Sequence, residues 1–132
     1  MALATSRPVP EPPPNQATGK IGEELAVDAL RGMGYAILAR RYRTRYGEID
    51  IIAQDQDTLV FVEVKARRTD RFGTAAESVS GWKQRRIAAM ALDYLSWVNR
   101  LDAPCRFDVV AIDGFGTSQA TVNVIKDAFQ TD

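Results

Sequence analysis

The stretch GEIDIIAQDQDTLVFVEVKA, residues 47–66, decides the fold of this chain. It contains two runs rich in β-branched and other apolar residues, 47–54 and 59–66, separated by the polar triplet Asp55-Gln56-Asp57. Two short apolar runs joined by such a turn predict two antiparallel strands that pair as a hairpin.

Charged side chains interrupt both strands of the predicted hairpin. Because successive side chains of a strand point to opposite faces, Glu63 and Lys65 are expected on one face and the valines between them on the other. In the preceding strand, Ile49 and Ile51 are expected to pack together on the face opposite Asp50. Pairing of the strands can then bring Asp50 beside Glu63, with Lys65 one pleat further along.

Two carboxylates on adjacent strands repel each other unless a positive charge lies between them. A divalent cation supplies that charge, and two carboxylates with a backbone oxygen and water make a suitable oxygen shell for Mg²⁺ or Mn²⁺. A bound metal activates water and neutralises a phosphate, and a neighbouring lysine can hold the attacking water or the developing oxyanion. Asp50, Glu63 and Lys65 therefore suit phosphodiester hydrolysis. Their spacing alone is a weak signal; their position on two apolar strands strengthens it.

The composition excludes several other chemistries. The chain has 132 residues, which predicts one domain, and 17 basic and 17 acidic residues give a formal net charge of zero. It contains no histidine, which excludes Ser-His-Asp hydrolysis and histidine-based nucleases. Its single cysteine, Cys105, excludes an internal disulfide and multi-cysteine metal sites.

Outward from the hairpin, the pattern alternates between helical and strand periodicity. The predicted order is a helix, three strands, a second helix capped by Ser80 and one or two strands. This order predicts an α/β fold with a mixed sheet flanked by helices. The strands other than the two of the hairpin are expected at 35–43, 106–112 and 121–127. The apolar residues of the first helix recur at Ile21, Leu25, Ala26, Ala29, Leu30 and Met33, and those of the second at Ile87, Met90, Ala91, Tyr94, Leu95 and Val98.

The N-terminal residues 1–17 contain five of the six prolines and few large apolar residues. This composition predicts a flexible leader before a domain at 18–132. No stretch reaches the roughly 18 consecutive apolar residues of a membrane span, and the leader lacks the apolar run of a secretory signal. We therefore expect a cytoplasmic location.

A further acid, Glu23, lies at the edge of the apolar stripe of the first helix. Two interpretations stay open: it reaches over the sheet toward the carboxylates, or it is a helix N-terminal acid favoured by the macrodipole. Elsewhere, Asp108 is expected to have a structural role at a strand end, and Trp82 and Trp97 are expected to pack against the core.

Basic residues cluster around the predicted site. Residues 31–86 hold twelve of the 17 Lys and Arg residues and have a net charge of +5. Those expected to contact phosphates are Arg41, Arg43, Arg45, Arg67, Arg68 and Lys83. The alternative for the arginines is an ordinary solvated surface. For Lys83, which lies on the apolar face of the second helix, it is snorkelling at a helix end.

Several motifs together resemble a known family. Gly22-Glu23, GEID at 47–50 and FVEVK at 61–65 are similar to the PD-(D/E)xK, or restriction-endonuclease-like, superfamily. With KxxRI at 83–87 and RFDVV at 106–110, they resemble the small bacterial YraN-type family over roughly residues 18–127. The helix acid and the ID…EVK arrangement are also similar to archaeal Holliday-junction resolvases.

The resemblance implies an αβββαβ nuclease core, with Asp50, Glu63 and accessory Glu23 as metal ligands and Lys65 as the catalytic lysine. It suggests a Mg²⁺- or Mn²⁺-dependent endonuclease acting on DNA rather than RNA, with branched DNA as one candidate substrate. The alternatives are a non-catalytic nucleic-acid-binding module with the same fold, and a protein-interaction scaffold. A one-sided site on a small domain needs two copies to cut both strands, which favours a homodimer.

Overall fold

The computed structural model describes residues 17–67 and 79–130. Of the predicted leader, residues 1–16 lie outside the described residues, and Ala17 is the first residue of the first helix. The predicted contact Arg68 also lies outside them, as do residues 69–78 of the polar segment that follows the hairpin.

The chain folds as α/β, with a five-stranded mixed sheet flanked by two helices, as the sequence predicts. This arrangement is compatible with a restriction-endonuclease-like core. The elements, in chain order, are α1 (Ala17–Gly32), β1 (Ala36–Thr44), β2 (Gly47–Asp55), β3 (Thr58–Arg67), α2 (Gly81–Trp97), β4 (Cys105–Asp113) and β5 (Thr121–Phe129). No helix among residues 17–67 and 79–130 has the length and apolar character needed to cross a membrane.

The strands lie in the sheet in sequence order, from β1 to β5. Neighbouring strands run antiparallel except β3 and β4, which are parallel and are connected through α2. The predicted hairpin is confirmed: Asp55 pairs with Thr58 beside the turn, and the pairing extends to Ile51 and Val62.

Each face of the sheet carries its own hydrophobic cluster. On one face, α2 packs Ile87, Met90 and Tyr94 against strand residues such as Phe61 and Val109. On the other face, the buried side of α1 packs against the valines of β3 and against β4. The buried residues of α2 are the predicted ones, and Ser80 caps the helix through Oγ, which accepts a hydrogen bond from the Lys83 N–H at 3.2 Å.

The predicted common face of Ile49 and Ile51 is wrong. Ile49 belongs to the α2-side cluster and Ile51 to the α1-side cluster, so the alternation of β2 breaks at Asp50. Opposite this break, Arg41 has a φ of 53°, a left-handed conformation that a regular strand does not contain. The irregularity places Asp50 where β2 and β3 stop pairing.

The apolar stripe predicted for α1 is only partly buried. Ile21 and Met33 are 57% and 44% exposed, and Leu25 is also exposed, whereas Ala26 and Leu30 are buried as predicted. The helix is turned so that its small residues face the sheet. A Cβ at Gly22 would lie 3.4 Å from the Cβ of Ala66, so glycine permits this close approach. This orientation of the helix places the next residue, Glu23, in its buried face.

Candidate active site

Asp50 lies at the point where β2 and β3 separate. Beyond the last described pair, Ile51 with Val62, its Oδ2 accepts a hydrogen bond from the N–H of Val64 at 2.8 Å. This bond uses a backbone donor of β3 and holds the carboxylate beside that strand. Asp50 is thereby held one residue from Glu63 on the neighbouring strand, which agrees with their predicted proximity.

The electrostatic surroundings of Asp50 disfavour its ionised form. Burial, and then the negative charge of Glu63, raise the pKa of Asp50 to about 7, with a smaller contribution from Glu23. The Val64 N–H and the Lys83 ammonium act in the opposite direction. Two acids in one partly desolvated site attract a cation, because added positive charge relieves their repulsion.

Glu63 is contacted by two lysines from different elements. The ammonium of Lys83, on α2, lies 2.6 Å from Glu63 Oε2, and that of Lys65, two residues along β3, lies 3.9 Å from the same oxygen. The structure therefore brings together Asp50, Glu63, Lys65 and Lys83.

The two lysines have opposite pKa shifts. Burial and the neighbouring Lys83 lower the pKa of Lys65. Burial also acts to lower the pKa of Lys83, but its hydrogen bond and ion pair with Glu63 outweigh burial and raise it. Lys83 is therefore the persistent positive charge on Glu63, whereas Lys65 releases a proton more readily and suits contact with an attacking water.

Glu23 lies in the buried face of α1, and its carboxylate is held by two guanidinium groups. Oε1 accepts from Nε of Arg40 at 3.1 Å, and Oε2 accepts from Nε of Arg41 at 2.9 Å. Arg41, whose guanidinium contacts Glu23, is also the residue with the left-handed backbone conformation. Arg40 also contacts Glu24 at 2.7 Å, a pairing that the sequence pattern did not indicate.

The donor atoms fit a hard divalent cation in part. Both lysines contact Oε2 of Glu63 and the Val64 N–H contacts Oδ2 of Asp50, which leaves Glu63 Oε1 and Asp50 Oδ1 without hydrogen bonds within residues 17–67 and 79–130. In the same part of the chain, no group of three or more acidic or cysteine side chains lies close enough together to hold a metal ion. Asp50 and Glu63 are thus the available pair, while Glu23 is engaged by arginines.

The arginines predicted to bind nucleic acid are mostly paired with acids. Besides Arg41 with Glu23, Arg43 lies 3.2 Å from Glu48, and Arg67 lies 3.0 Å from Asp113. Arg45 lies over the ring of Tyr46, 5.0 Å from its centroid. The described partners of these side chains compete with phosphate.

One basic residue near the site was not predicted. Arg86 follows Lys83 by three residues on α2, a spacing that places them on neighbouring turns of the helix. Its guanidinium lies over the ring of Trp82, 4.6 Å from the centroid, and close to Gly47 at the start of β2. The sequence signal that could have identified Arg86 is its i, i+3 spacing from Lys83.

The fold and the site define a class: an α/β protein whose mixed sheet carries a carboxylate–lysine cluster where two central strands separate. A family model described as "Uncharacterised protein family UPF0102" matches residues 22–112, which include the whole of this cluster. The chain belongs to the UPF0102 family.

Three relatives of the family each match most of the chain. A UPF0102 protein of Syntrophus aciditrophicus is 49% identical over 117 residues, 88% of this chain and 91% of the relative. One from Symbiobacterium thermophilum is 45% identical over 115 residues, 87% and 98% of the two chains. One from Ralstonia nicotianae is 44% identical over 127 residues, 93% and 94% of the two chains.

Proposed function

We propose that this protein is a cytoplasmic, Mg²⁺- or Mn²⁺-dependent endonuclease of the PD-(D/E)xK type that hydrolyses DNA phosphodiester bonds. The observation that carries the proposal is the cluster of Asp50, Glu63 and Lys65 at the point where β2 and β3 separate. It contains two acids and a lysine of lowered pKa, which together suit phosphate chemistry without histidine.

Each residue of the cluster has a distinct role in this proposal. Asp50 and Glu63 would hold the cation, and Glu23 adds negative charge from α1. The cation, when bound, supplies charge neutralisation at the phosphate and acidifies water. Lys65 orients the attacking water for in-line attack on phosphorus, and Lys83 keeps Glu63 in position through its 2.6 Å contact.

A second candidate is a non-catalytic nucleic-acid-binding module with the same fold. The ion pairs favour it: Lys83 already compensates Glu63, and Arg40 and Arg41 already compensate Glu23. Because lysine and arginine side chains already neutralise these acids, a metal ion is not required to offset their negative charge. The two candidates differ in metal dependence and in cleavage.

Cleavage of a panel of labelled substrates tests the proposal. Linear duplex, flap, four-way junction, single-stranded DNA and RNA are incubated with the protein in Mg²⁺, Mn²⁺ or EDTA. We expect cleavage of at least one DNA substrate in Mg²⁺ or Mn²⁺ and none in EDTA. Binding without cleavage in any metal supports the module instead, and the absence of both binding and cleavage rejects the two candidates together.

The raised pKa of Asp50 predicts a dependence of stability on pH. A carboxyl whose folded pKa is about 7 binds its proton more tightly in the folded chain than in the unfolded one, where its ordinary value is 3.8. Its contribution to stability is therefore complete at low pH and falls as pH rises from the unfolded toward the folded value. Between about pH 4 and pH 7, the metal-free wild type is expected to lose more stability than Asp50→Asn.

Urea denaturation of both proteins in EDTA across this range measures the effect. Added Mg²⁺ is expected to stabilise the wild type more at high pH than at low pH, because the cation and the proton compete for the same carboxylate. Parallel pH profiles for the wild type and Asp50→Asn would contradict the assignment of the raised pKa to Asp50.

A further inference from the structure

Trp82 is an exposed aromatic side chain on α2, next in sequence to Lys83 of the carboxylate–lysine cluster. It is 63% exposed, contrary to the packing role expected for it, and it precedes Lys83, whose ammonium contacts Glu63 at 2.6 Å. Trp97 differs, since it is stacked on Tyr42 with ring centroids 5.9 Å apart. A single exposed aromatic ring is not unusual in itself, but this one lies under the guanidinium of Arg86 on the helix that also supplies Lys83.

Arg86 supports Trp82 from the side of the sheet. Its guanidinium lies over the indole ring at 4.6 Å, and a Cβ at Gly47 would lie 3.9 Å from its Cζ and Nε. The Nε is buried without a hydrogen-bond partner, and no carboxylate in residues 17–67 or 79–130 forms an ion pair with Arg86. Arg86 thus holds the ring in place while its positive charge stays uncompensated by the described acids.

This pair of side chains has the chemistry of a base-stacking platform. An aromatic ring in a basic setting binds a nucleobase through its π face, and the positive charge favours the adjoining phosphate. Bases inside a duplex are already stacked on their neighbours, so the platform selects a base that has left the stack or has no partner.

We propose that Trp82, supported by Arg86, stacks on an unpaired nucleobase beside the scissile phosphate. The inference rests on the proposed function and makes it more specific: the preferred DNA carries an unpaired nucleotide, as a single strand, a flap or an open junction does. Fully paired linear duplex is the poorer ligand.

Binding measured in EDTA tests the stacking contact apart from catalysis. In a Trp97→Phe background, Trp82 is the sole tryptophan, since the chain has two. Oligodeoxythymidylate is expected to quench its fluorescence, and a blunt-ended two-stranded duplex of equal length is not. By anisotropy, Trp82→Ala is expected to weaken binding of the single strand about tenfold and binding of the duplex less than about twofold. Trp82→Phe is expected to restore most of the affinity.

Leu92→Ala is the matched control, because Leu92 is 58% exposed on the same helix and has no proposed contact. Equal losses for single strand and duplex in Trp82→Ala, or unchanged fluorescence on binding, would overturn the stacking contact. If Trp82→Ala selectively loses affinity for the single strand but the wild type cleaves no substrate, the stacking contact is supported and the nuclease is rejected. Absence of all nucleic-acid binding by the wild type would reject both.

Discussion

Asp50→Asn and Lys65→Ala are each expected to reduce DNA cleavage by about 10²- to 10³-fold or more while leaving the protein folded. Lys65 lies 3.9 Å from Glu63 and has a lowered pKa, so alanine removes the group that we propose orients water or stabilises the developing charge. Asparagine at position 50 removes the negative charge that attracts a cation. It keeps an oxygen that can accept from the Val64 N–H, so the separation of β2 and β3 is preserved.

The measurement is the single-turnover cleavage rate on the best substrate of the panel, with circular dichroism and urea denaturation as tests of folding. Lys126→Ala is the control for loss of a lysine, because Lys126 lies on β5 over the ring of Tyr35. We expect the control to keep the wild-type rate. Full activity in both Asp50→Asn and Lys65→Ala would reject the assignment of the site.

The two variants also separate the candidate functions. In a non-catalytic module, Asp50→Asn removes a negative charge next to phosphate and is expected to strengthen DNA binding, with no metal dependence. In a nuclease, the same variant loses metal-supported cleavage, and its DNA binding becomes insensitive to Mg²⁺. Affinity measured with and without Mg²⁺ therefore distinguishes the functions even if the cleavage rate is low.

Local patterns predicted most of the fold because they report directly on secondary structure. The hairpin, the cap at Ser80 and the buried face of α2 follow from turn residues, capping chemistry and helical spacing, each of which acts over a few residues. The shared face of Glu63 and Lys65 follows from strand alternation in the same way.

The features that the sequence did not predict are interactions between elements. The break of alternation at Asp50 is matched by the left-handed Arg41 in a neighbouring strand, which no pattern within β2 reports. The orientation of α1 depends on how closely Gly22 approaches Ala66 in β3. The contact of Lys83 with Glu63 joins residues 20 positions apart in the sequence, so its partner could not be assigned from spacing.

A second buried acid, Asp108 in β4, shows how the same residue type takes a structural role. Its side chain is fully buried, and its oxygens accept from Arg106 at 2.9 Å and from the N–H of Asp127 at 2.9 Å. Tyr35 donates to it at 3.5 Å and accepts from Arg106 at 2.7 Å. The hydrogen bond with Asp108 raises the pKa of Arg106, so the guanidinium keeps its positive charge. The network supports the structural role expected for Asp108, although the residue lies within β4 rather than at its end.

Asp108→Ala is expected to lower the free energy of unfolding by about 3–5 kcal/mol, because it leaves the Arg106 charge and the Asp127 N–H without their buried partner. That N–H lies where β5 departs from regular register, so its loss also loosens the pairing of β4 with β5. Asp113→Ala, at the other end of β4, removes a more exposed ion pair with Arg67 and is expected to cost about 1 kcal/mol or less.

Urea denaturation of the two variants measures the difference, and cleavage is assayed below the unfolding transition of Asp108→Ala. We expect its folded fraction to cleave DNA at the wild-type rate, because the carboxylate is turned toward Arg106 and Tyr35 rather than toward Asp50. If Asp108→Ala is stably folded but does not cleave DNA, then Asp108 acts in cleavage and not only in folding. A cost as small as that of Asp113→Ala would mean that Arg106 finds other partners, of which Asp55 at 3.2 Å is the nearest described acid besides Asp108.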